Sequence, residues 1–426
     1  MTRENRHTVT LTKRLTADDA EAYHIELPFD MPEEAEEVAV TMIVSPNGAG
    51  RCVVDLGIRD AERHRGWSGG ARTTFFIGEE RATPGYVPGP LTPGTWAVLL
   101  GAYRVPEGGC EVRVTVECAI AAPRWLKGDL HMHSVHSDGQ YTLEQNARMM
   151  ENLGCDFMAL TDHNTVSQNF AYPPDAGVAV IPGMELTTNS GHANLLGVAD
   201  PRVDFRARDA EQLGRSLRQA RDAGCRIVLN HTHCEQCAWE FGFDVDYDYV
   251  EVWNGPWLAR NERALAWWQS ELAAGRRLVA VGGSDVHGPH PYVKHAMPAT
   301  WVYARKRTVQ EILRAIDRGH VFLSYAVDGP TLDLTCGGFI MGDEVPSALA
   351  AREPVRLTAS RLREGDVVKV WSERGTERET KAGDRGSLSL EWPAEGRIFY
   401  RVEVWRYFTE ADKTLMAAMS NPLYFK

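Results

Sequence analysis

The sequence predicts an α/β segment at residues 123–326, set between an N-terminal β-sandwich at 1–122 and a small C-terminal β domain at 327–426. Three observations predict it. Up to about residue 122, short runs alternate apolar and polar residues between Gly- and Pro-rich turns. From about 124, apolar strand-like runs alternate with amphipathic helix patterns. After about 326 the strand alternation returns.

The N-terminal runs are HTVTLTKRL, EVAVTMIV, CVVDLGI, TWAVLLGAY and EVRVTVE, separated by SPNGAG, TPGYVPGPLTPG and VPEGG. Period two sends successive side chains to opposite faces, so each run offers one face to a core. No helix-period stretch of useful length and no cluster of metal-ligand residues interrupts them. The aromatic residues of RGWSGG and TPGYVPG are read as packing. Cys110 and Cys118 lie on one run, about 26 Å apart along a strand, too far to bridge each other. The eight cysteines are scattered, so free thiols are expected throughout.

The middle segment reads GDLHMH, TLEQNARMMENLG and FMALTDH, then RDAEQLGRSLRQARDAG, RIVLNHTH, YVEVWN, RNERALAWWQSELAAG, LVAVGGSDVH and TVQEILRAIDRG. Thr142 is the expected N-cap of the first helix and Gly154 its C-cap. Strands alternating with helices imply parallel strands whose C-terminal ends converge on one mouth. The last hundred residues carry TLDLTC, PVRLTAS, DVVKVWSE, SLSLEW, IFYRVEVW and NPLYFK, with packing as their expected role.

The chain has 426 residues, 43% hydrophobic and 24% charged, with a net charge of −12. An acidic surface repels polyanions, so long nucleic acid and anionic membranes are not expected partners. The start, Met-Thr-Arg-Glu-Asn-Arg-His, lacks a signal-peptide core, and no apolar run is long enough to span a bilayer. A cytoplasmic location is expected. The oligomeric state is not legible.

Ten of the 14 histidines fall between His131 and His295. Histidines used for packing or surface have no reason to gather so. His131 and His133 stand two apart, on one face of a strand, and can grip one ion. Asp138 follows in the turn SDG. TDH offers His163, with Asp162 expected to orient a metal-bound histidine rather than bind. Glu185 ends VIPGMEL, His192 opens HANLLG, and His231 ends RIVLN. Asp285 and His287 repeat the two-apart spacing in GSDVH. One such motif is weak evidence; the set, each member at a strand end, points to a metal site.

The ordered series HMH, SDG, TDHN, GME, GHANLLG, NHTH and GSDVH resembles the PHP (polymerase and histidinol phosphatase) superfamily, over roughly residues 125–325. GHANLLG and VEVWNG look most like the branch that includes carbaryl hydrolases. The resemblance implies a distorted (β/α)7 barrel binding two or three divalent ions. It assigns His131, His133, Glu185 and Asp285 to a first ion. A second would share Glu185 and add His192 and His231, and a third would take Asp138, His163 and His287. The HxHCxxC run at His231, His233, Cys234 and Cys237 departs from the pattern, and is read as a loop at the barrel mouth rather than a separate zinc site.

Nine nitrogen and oxygen ligands suit Mn, Fe or Zn. Adjacent ions lower the pKa of a shared water, so a metal-bridging hydroxide is the expected nucleophile and no Ser or Cys is required. Three such ions outweigh three carboxylates, and the residual positive charge favours a small anionic substrate, above all a phosphate ester. The branch resemblance instead implies neutral carbamates or aryl esters. A non-catalytic metal-containing binding protein is a further alternative, which the intact ligand set disfavours. His233, His290 and His295 are candidates for protonating a leaving group. Arg260 is a candidate phosphate clamp and Asn254 a candidate substrate hydrogen-bonder. Trp253, Trp257, Trp267 and Trp268 are read as a pocket wall or, for the helical pair, as core.

Overall fold

The computed structural model describes residues 6–173 and 176–426; Met1–Asn5 of the N-terminal stretch lie outside the described residues. The chain divides into two compact units, Met1–Pro123 and Arg124–Lys426.

Among the described residues the first unit has eight strands: β1 (Arg6–Leu15), β2 (His24–Met31), β3 (Ala35–Pro46), β4 (Val53–Arg59), β5 (His64–Trp67), β6 (Thr74–Gly78), β7 (Gly94–Arg104) and β8 (Cys110–Ile120). They form two antiparallel sheets, ordered β1-β8-β3-β6 and β2-β7-β4-β5. Alternate residues of both meet in one core, including Val38, Val40 and Met42 of β3, Val112, Val114 and Val116 of β8, and Trp96, Val98 and Leu100 of β7. This is the arrangement that period two demands. Two details depart from expectation. A short helix, α1 (Ala17–Ala22), links β1 to β2. Cys110 is not a free thiol: it is bonded to Cys52, 58 residues away in sequence. Spacing along one strand excluded the Cys118 pairing, but it cannot reveal a partner brought in from another sheet.

The second unit opens with β9 (Arg124–Met132), α2 (Leu143–Asn152), β10 (Phe157–Leu160), β11 (Ala179–Thr188), β12 (Gly191–Leu196), α3 (Ala210–Ala223) and β13 (Arg226–Leu229). It continues with β14 (Tyr249–Asn254), α4 (Ala259–Ala273), β15 (Val279–Gly283), β16 (Ala299–Ala304), α5 (Val309–Asp317) and β17 (Val321–Ser324). Thr142 caps α2 as expected, accepting from the Gln145 N–H, and Gly154 follows the terminal Leu153 at φ +66°.

Strands β9 to β15 lie side by side in chain order. Their pairing is parallel except at β12, which forms a hairpin with β11 and runs antiparallel to β13 as well. The expected alternation of strand and helix therefore fails at the β11–β12 hairpin, between β15 and β16, and in two further places. A 3₁₀ turn at Ser167–Phe170 stands between β10 and β11 instead of a helix, and a helix-free loop carries NHTHCEQC from β13 to β14. Strand β9 pairs with antiparallel β16 over its first half. Its far end turns to the segment after β15, with Met132 bridged to Val286 and the His133 N–H donating to the Val286 carbonyl at 3.0 Å.

The remaining elements are β18 (Thr331–Cys336), β19 (Phe339–Ile340), β20 (Glu344–Val345), α6 (Ser347–Ala350), β21 (Val355–Ser360), β22 (Val367–Ser372), β23 (Gly375–Lys381), β24 (Ser387–Trp392), β25 (Phe399–Phe408), β26 (Lys413–Ser420) and β27 (Leu423–Phe425). The expected boundary near residue 327 is absent, because Arg124–Lys426 is a single compact unit. Strand β26 pairs with β17, so β26, β25, β22 and β23 prolong the central sheet. The side chain of Asn421 bonds the backbone of Ala280 and Val321. Among the described residues, no helix is long and apolar enough to cross a membrane.

Candidate metal centre

Eight of the nine expected ligands stand near an end of a strand in the β9–β15 run or in the turn that follows it, and Glu185 lies within β11. His131 and His133 leave β9 on one face, both fully buried. His131 Nε2 stands 3.4 Å from Glu185 Oε1 and 3.3 Å from Asp285 Oδ1. His133 Nε2 stands 3.4 Å from Glu185 Oε2 and 3.1 Å from Asp285 Oδ1. Glu185 projects from β11 into the middle of the set and also meets His163 at 2.9 Å, His192 at 3.1 Å and His231 at 3.4 Å. Asp138, more exposed, lies 3.7 Å from His163 and 3.4 Å from His287.

Backbone geometry aims these groups. His231 and Asp285 both sit at positive φ, +28° and +55°. Non-glycine residues adopt that region at a cost, and it recurs where a side chain must be turned into a site. Gly283 makes the close approach possible: a Cβ there would lie 2.3 Å from His131 Cβ and 3.0 Å from Glu251 Oε1. Gly139 is likewise required, since its Cβ would meet the backbone of His133 and Ser134 at 2.7 Å.

The donors converge in four overlapping groups: His131–His133–Glu185; His131–His231–Asp285; His163–Glu185–His192; and His133–Asp138–His163–His287. The family-based division put His231 with His192; here His231 groups with His131 and Asp285, and His192 with His163. His131, His133, His163 and Glu185 each belong to two groups.

These residues fit divalent cations. Glu251 Oε1 lies 2.9 Å from His131 Nδ1, and a carboxylate only accepts, so Nδ1 carries the proton. That leaves buried Nε2, with no hydrogen-bond partner, aimed between two carboxylates. A lone pair facing carboxylates needs a cation between them, either a second proton or a metal. The titration directions agree. Burial opposes a charge on His131, yet Asp285, Glu251 and Glu185 outweigh it and hold its pKa well above the ordinary value. Burial likewise opposes the Glu185 carboxylate, and His131, His163 and His192 hold its pKa well below the usual range.

Glu251 is one of two buried residues of the site that the sequence does not single out. It is buried, and besides His131 it accepts from the His231 N–H at 2.9 Å and from the Asn254 amide at 3.1 Å. The signal was present: a carboxylate in the otherwise apolar strand YVEVWN must find buried partners. Asn230 was also missed; its amide donates to Glu185 Oε1 and to Asn194 Oδ1, both at 2.8 Å.

Several expected roles change. Asn254 does not present its amide to a substrate, because both hydrogens are committed to Glu251 and, at 3.3 Å, Asp285 Oδ2. Asp162 orients no histidine; it accepts at 2.8 Å from the Ser134 N–H, Ser134 Oγ and Ser137 Oγ, and so sets the turn between His133 and Asp138. His295 is not presented to a leaving group. It is buried with Nε2 2.7 Å from Asn146 Oδ1, and burial pushes its pKa down to about 4. His290 is exposed and caps its own loop, its Nδ1 accepting from the Tyr292 and Val293 N–H groups. His233 leans on Phe243 and Trp267 with Nδ1 on Thr232, and burial followed by nearby Arg263 lowers its pKa. Trp253, Trp257 and Trp268 are buried core. Arg260 reaches the Asn254 carbonyl at 3.4 Å, and its Nε is buried without a partner.

No family model matches the chain, and no curated protein matches it. Portions of it are similar to solved structures. One is a two-domain protein containing a predicted PHP-like metal-dependent phosphoesterase from Bacteroides vulgatus, at 18% identity over 70% of this chain and 95% of that one, TM-score 0.40. Another is described as a metal-dependent phosphoesterase from Bifidobacterium adolescentis, at 18% over 44% and 95%, TM-score 0.30. A third is an amidohydrolase from Chromobacterium violaceum, at 17% over 39% and 89%, TM-score 0.28.

Proposed function

We propose that residues 124–326 form a PHP-type barrel, closed where β9 meets the end of β15, and that the chain is a metal-dependent hydrolase of small phosphate esters. The observation that carries the reading is the convergence of all nine ligands on one another, with Glu185 shared between two groups and no protein nucleophile among them. Two or three divalent ions (Mn, Fe or Zn) would supply Lewis-acid polarisation and an activated water. His131, His133, Glu185 and Asp285 form the innermost donor set, and His192, His231, His163, Asp138 and His287 extend it on either side. Glu251 holds His131 in the tautomer that leaves Nε2 free to bind. Asn230 and Asn254 fix the carboxylates of Glu185 and Asp285.

Arg260 supports an anionic substrate. A Cβ on Gly255 would lie 3.4 Å from Arg260 Nη2 and 3.3 Å from the carbonyl of Ser284, next to the ligand Asp285. Arg260 Nη2 therefore lies within a few ångströms of the segment that carries Asp285, and a guanidinium there is the candidate to take a phosphate oxygen. Turnover of phosphomonoesters, phosphodiesters, aryl esters and carbamates by metal-reconstituted protein tests the reading. Phosphoester turnover that chelation abolishes is expected. Arg260→Ala should then lower kcat/KM on the phosphoester by about 2–4 kcal/mol and leave an aryl ester nearly unchanged. Turnover of carbamates or aryl esters alone would overturn the phosphate assignment in favour of the carbaryl-hydrolase-like alternative.

A further inference from the structure

The loop after β13 holds two cysteines that the metal centre does not use. Sγ of Cys234 and Sγ of Cys237 are 2.9 Å apart, against a disulfide bond length of about 2.0 Å. Both are half-buried, whereas the free thiols of Cys118, Cys155, Cys225 and Cys336 are buried. The loop is held in register by the Cys234 N–H on the His231 carbonyl at 2.9 Å and the Trp239 N–H on the Thr232 carbonyl at 3.0 Å. Cys237 Sγ also lies 3.5 Å from Nδ1 of His231, whose Nε2 faces Glu185. Among the described residues, neither sulfur joins any group of three or more converging donors. That argues against a separate thiolate metal site and leaves the pair suited to two-electron chemistry with each other.

We propose that Cys234 and Cys237 form a thiol–disulfide exchange site that acts on His231. One cysteine sulfur, its proton released, attacks a small disulfide such as glutathione disulfide and expels one glutathione. The second cysteine sulfur then attacks the mixed disulfide, forms the Cys234–Cys237 bond and expels the second glutathione. Two protein thiols lose two electrons and two protons, and one small disulfide becomes two thiols. With Nε2 free for a metal, His231 Nδ1–H donates to Cys237 Sγ; a sulfur tied into the new bond is a weaker acceptor than a thiol or thiolate, so the imidazole loses the partner behind it. Loss of such a partner lowers metal affinity about 10- to 100-fold. This second consequence rests on the metal-centre reading; formation of the bond does not.

The test is equilibration of the full chain in glutathione buffers of graded potential, followed by peptide mass mapping and by titration with Zn or Mn. The expected result is a Cys234–Cys237 linked peptide, reversed by dithiothreitol, with metal binding about tenfold weaker in the oxidised protein. In Cys234→Ser the link is absent and the same buffers leave metal affinity unchanged. Persistence of free thiols, or a stable glutathione adduct without the internal link, would overturn the exchange site. A mapped link with unaltered metal affinity would overturn the action on His231.

Discussion

Arg65 in the N-terminal unit and His131 in the second unit are both buried ionisable groups, and their surroundings are opposite in kind. Arg65 is saturated from within: it bonds Asp60 and the carbonyls of Val87, Gly89 and Pro90 at 2.9–3.1 Å. Each guanidinium nitrogen there meets an acceptor, so the pair needs nothing from outside and serves the sandwich alone. At His131 the internal match is Glu251; the other ring nitrogen meets two carboxylates that are themselves crowded by further histidines. Buried charge that its own fold satisfies is structural. Buried charge that its fold leaves incomplete marks a place for a ligand.

Substitutions should separate the two regions. The largest effects are expected from removing the central charge of each. Glu185→Gln leaves its histidines and any bound cations under-neutralised, and should cost about 3–5 kcal/mol in metal binding; full metal content by elemental analysis would contradict the comparison. Arg65→Ala strands Asp60 and should cost a similar ~3–5 kcal/mol in unfolding free energy, with metal content per folded chain unchanged.

A smaller effect belongs to His295, whose folded pKa of about 4 lies below the unfolded value of about 6.5. Here the unfolded chain binds the proton first as pH falls. Stability relative to His295→Gln is therefore present above about pH 6.5 and lost toward pH 4, by up to about 3 kcal/mol. Chemical denaturation of both proteins across that range measures it, and parallel curves would show that burial does not hold this histidine neutral.

The smallest is expected from Glu251→Gln. It keeps the side chain's size and Oε1 contact but not the charge that orients the His131 Nδ1–H, and metal affinity should fall about 10- to 100-fold. Thermal stability of the metal-free protein checks the role, since a merely structural Glu251 would lower Tm and leave affinity alone.

Much of this was legible because residue type and spacing speak directly to local geometry. The alternation of β3, β7 and β8 and the cap at Thr142 follow from short-range rules, and the nine candidate ligands drew notice by breaking apolar runs near strand ends or by falling in short polar motifs. Glu251 was passed over because it stands in a strand with no histidine motif beside it, and a lone carboxylate in an apolar run does not name the partners that its burial requires. His295 was misplaced because proximity in sequence to His287 says nothing about which way a loop turns.

By itself, then, the sequence determined the kinds of element, the residue types available for a metal site and the order in which they arrive, since these depend on side-chain chemistry and on periods of two and 3.6. Tertiary structure alone decided the pairing of Cys52 with Cys110, the joining of β26 to β17 and the grouping of His231 with His131 and Asp285. Those outcomes hang on contacts between residues 50 to 150 or so positions apart, selected by burial and hydrogen bonding across the whole fold, which no local pattern encodes.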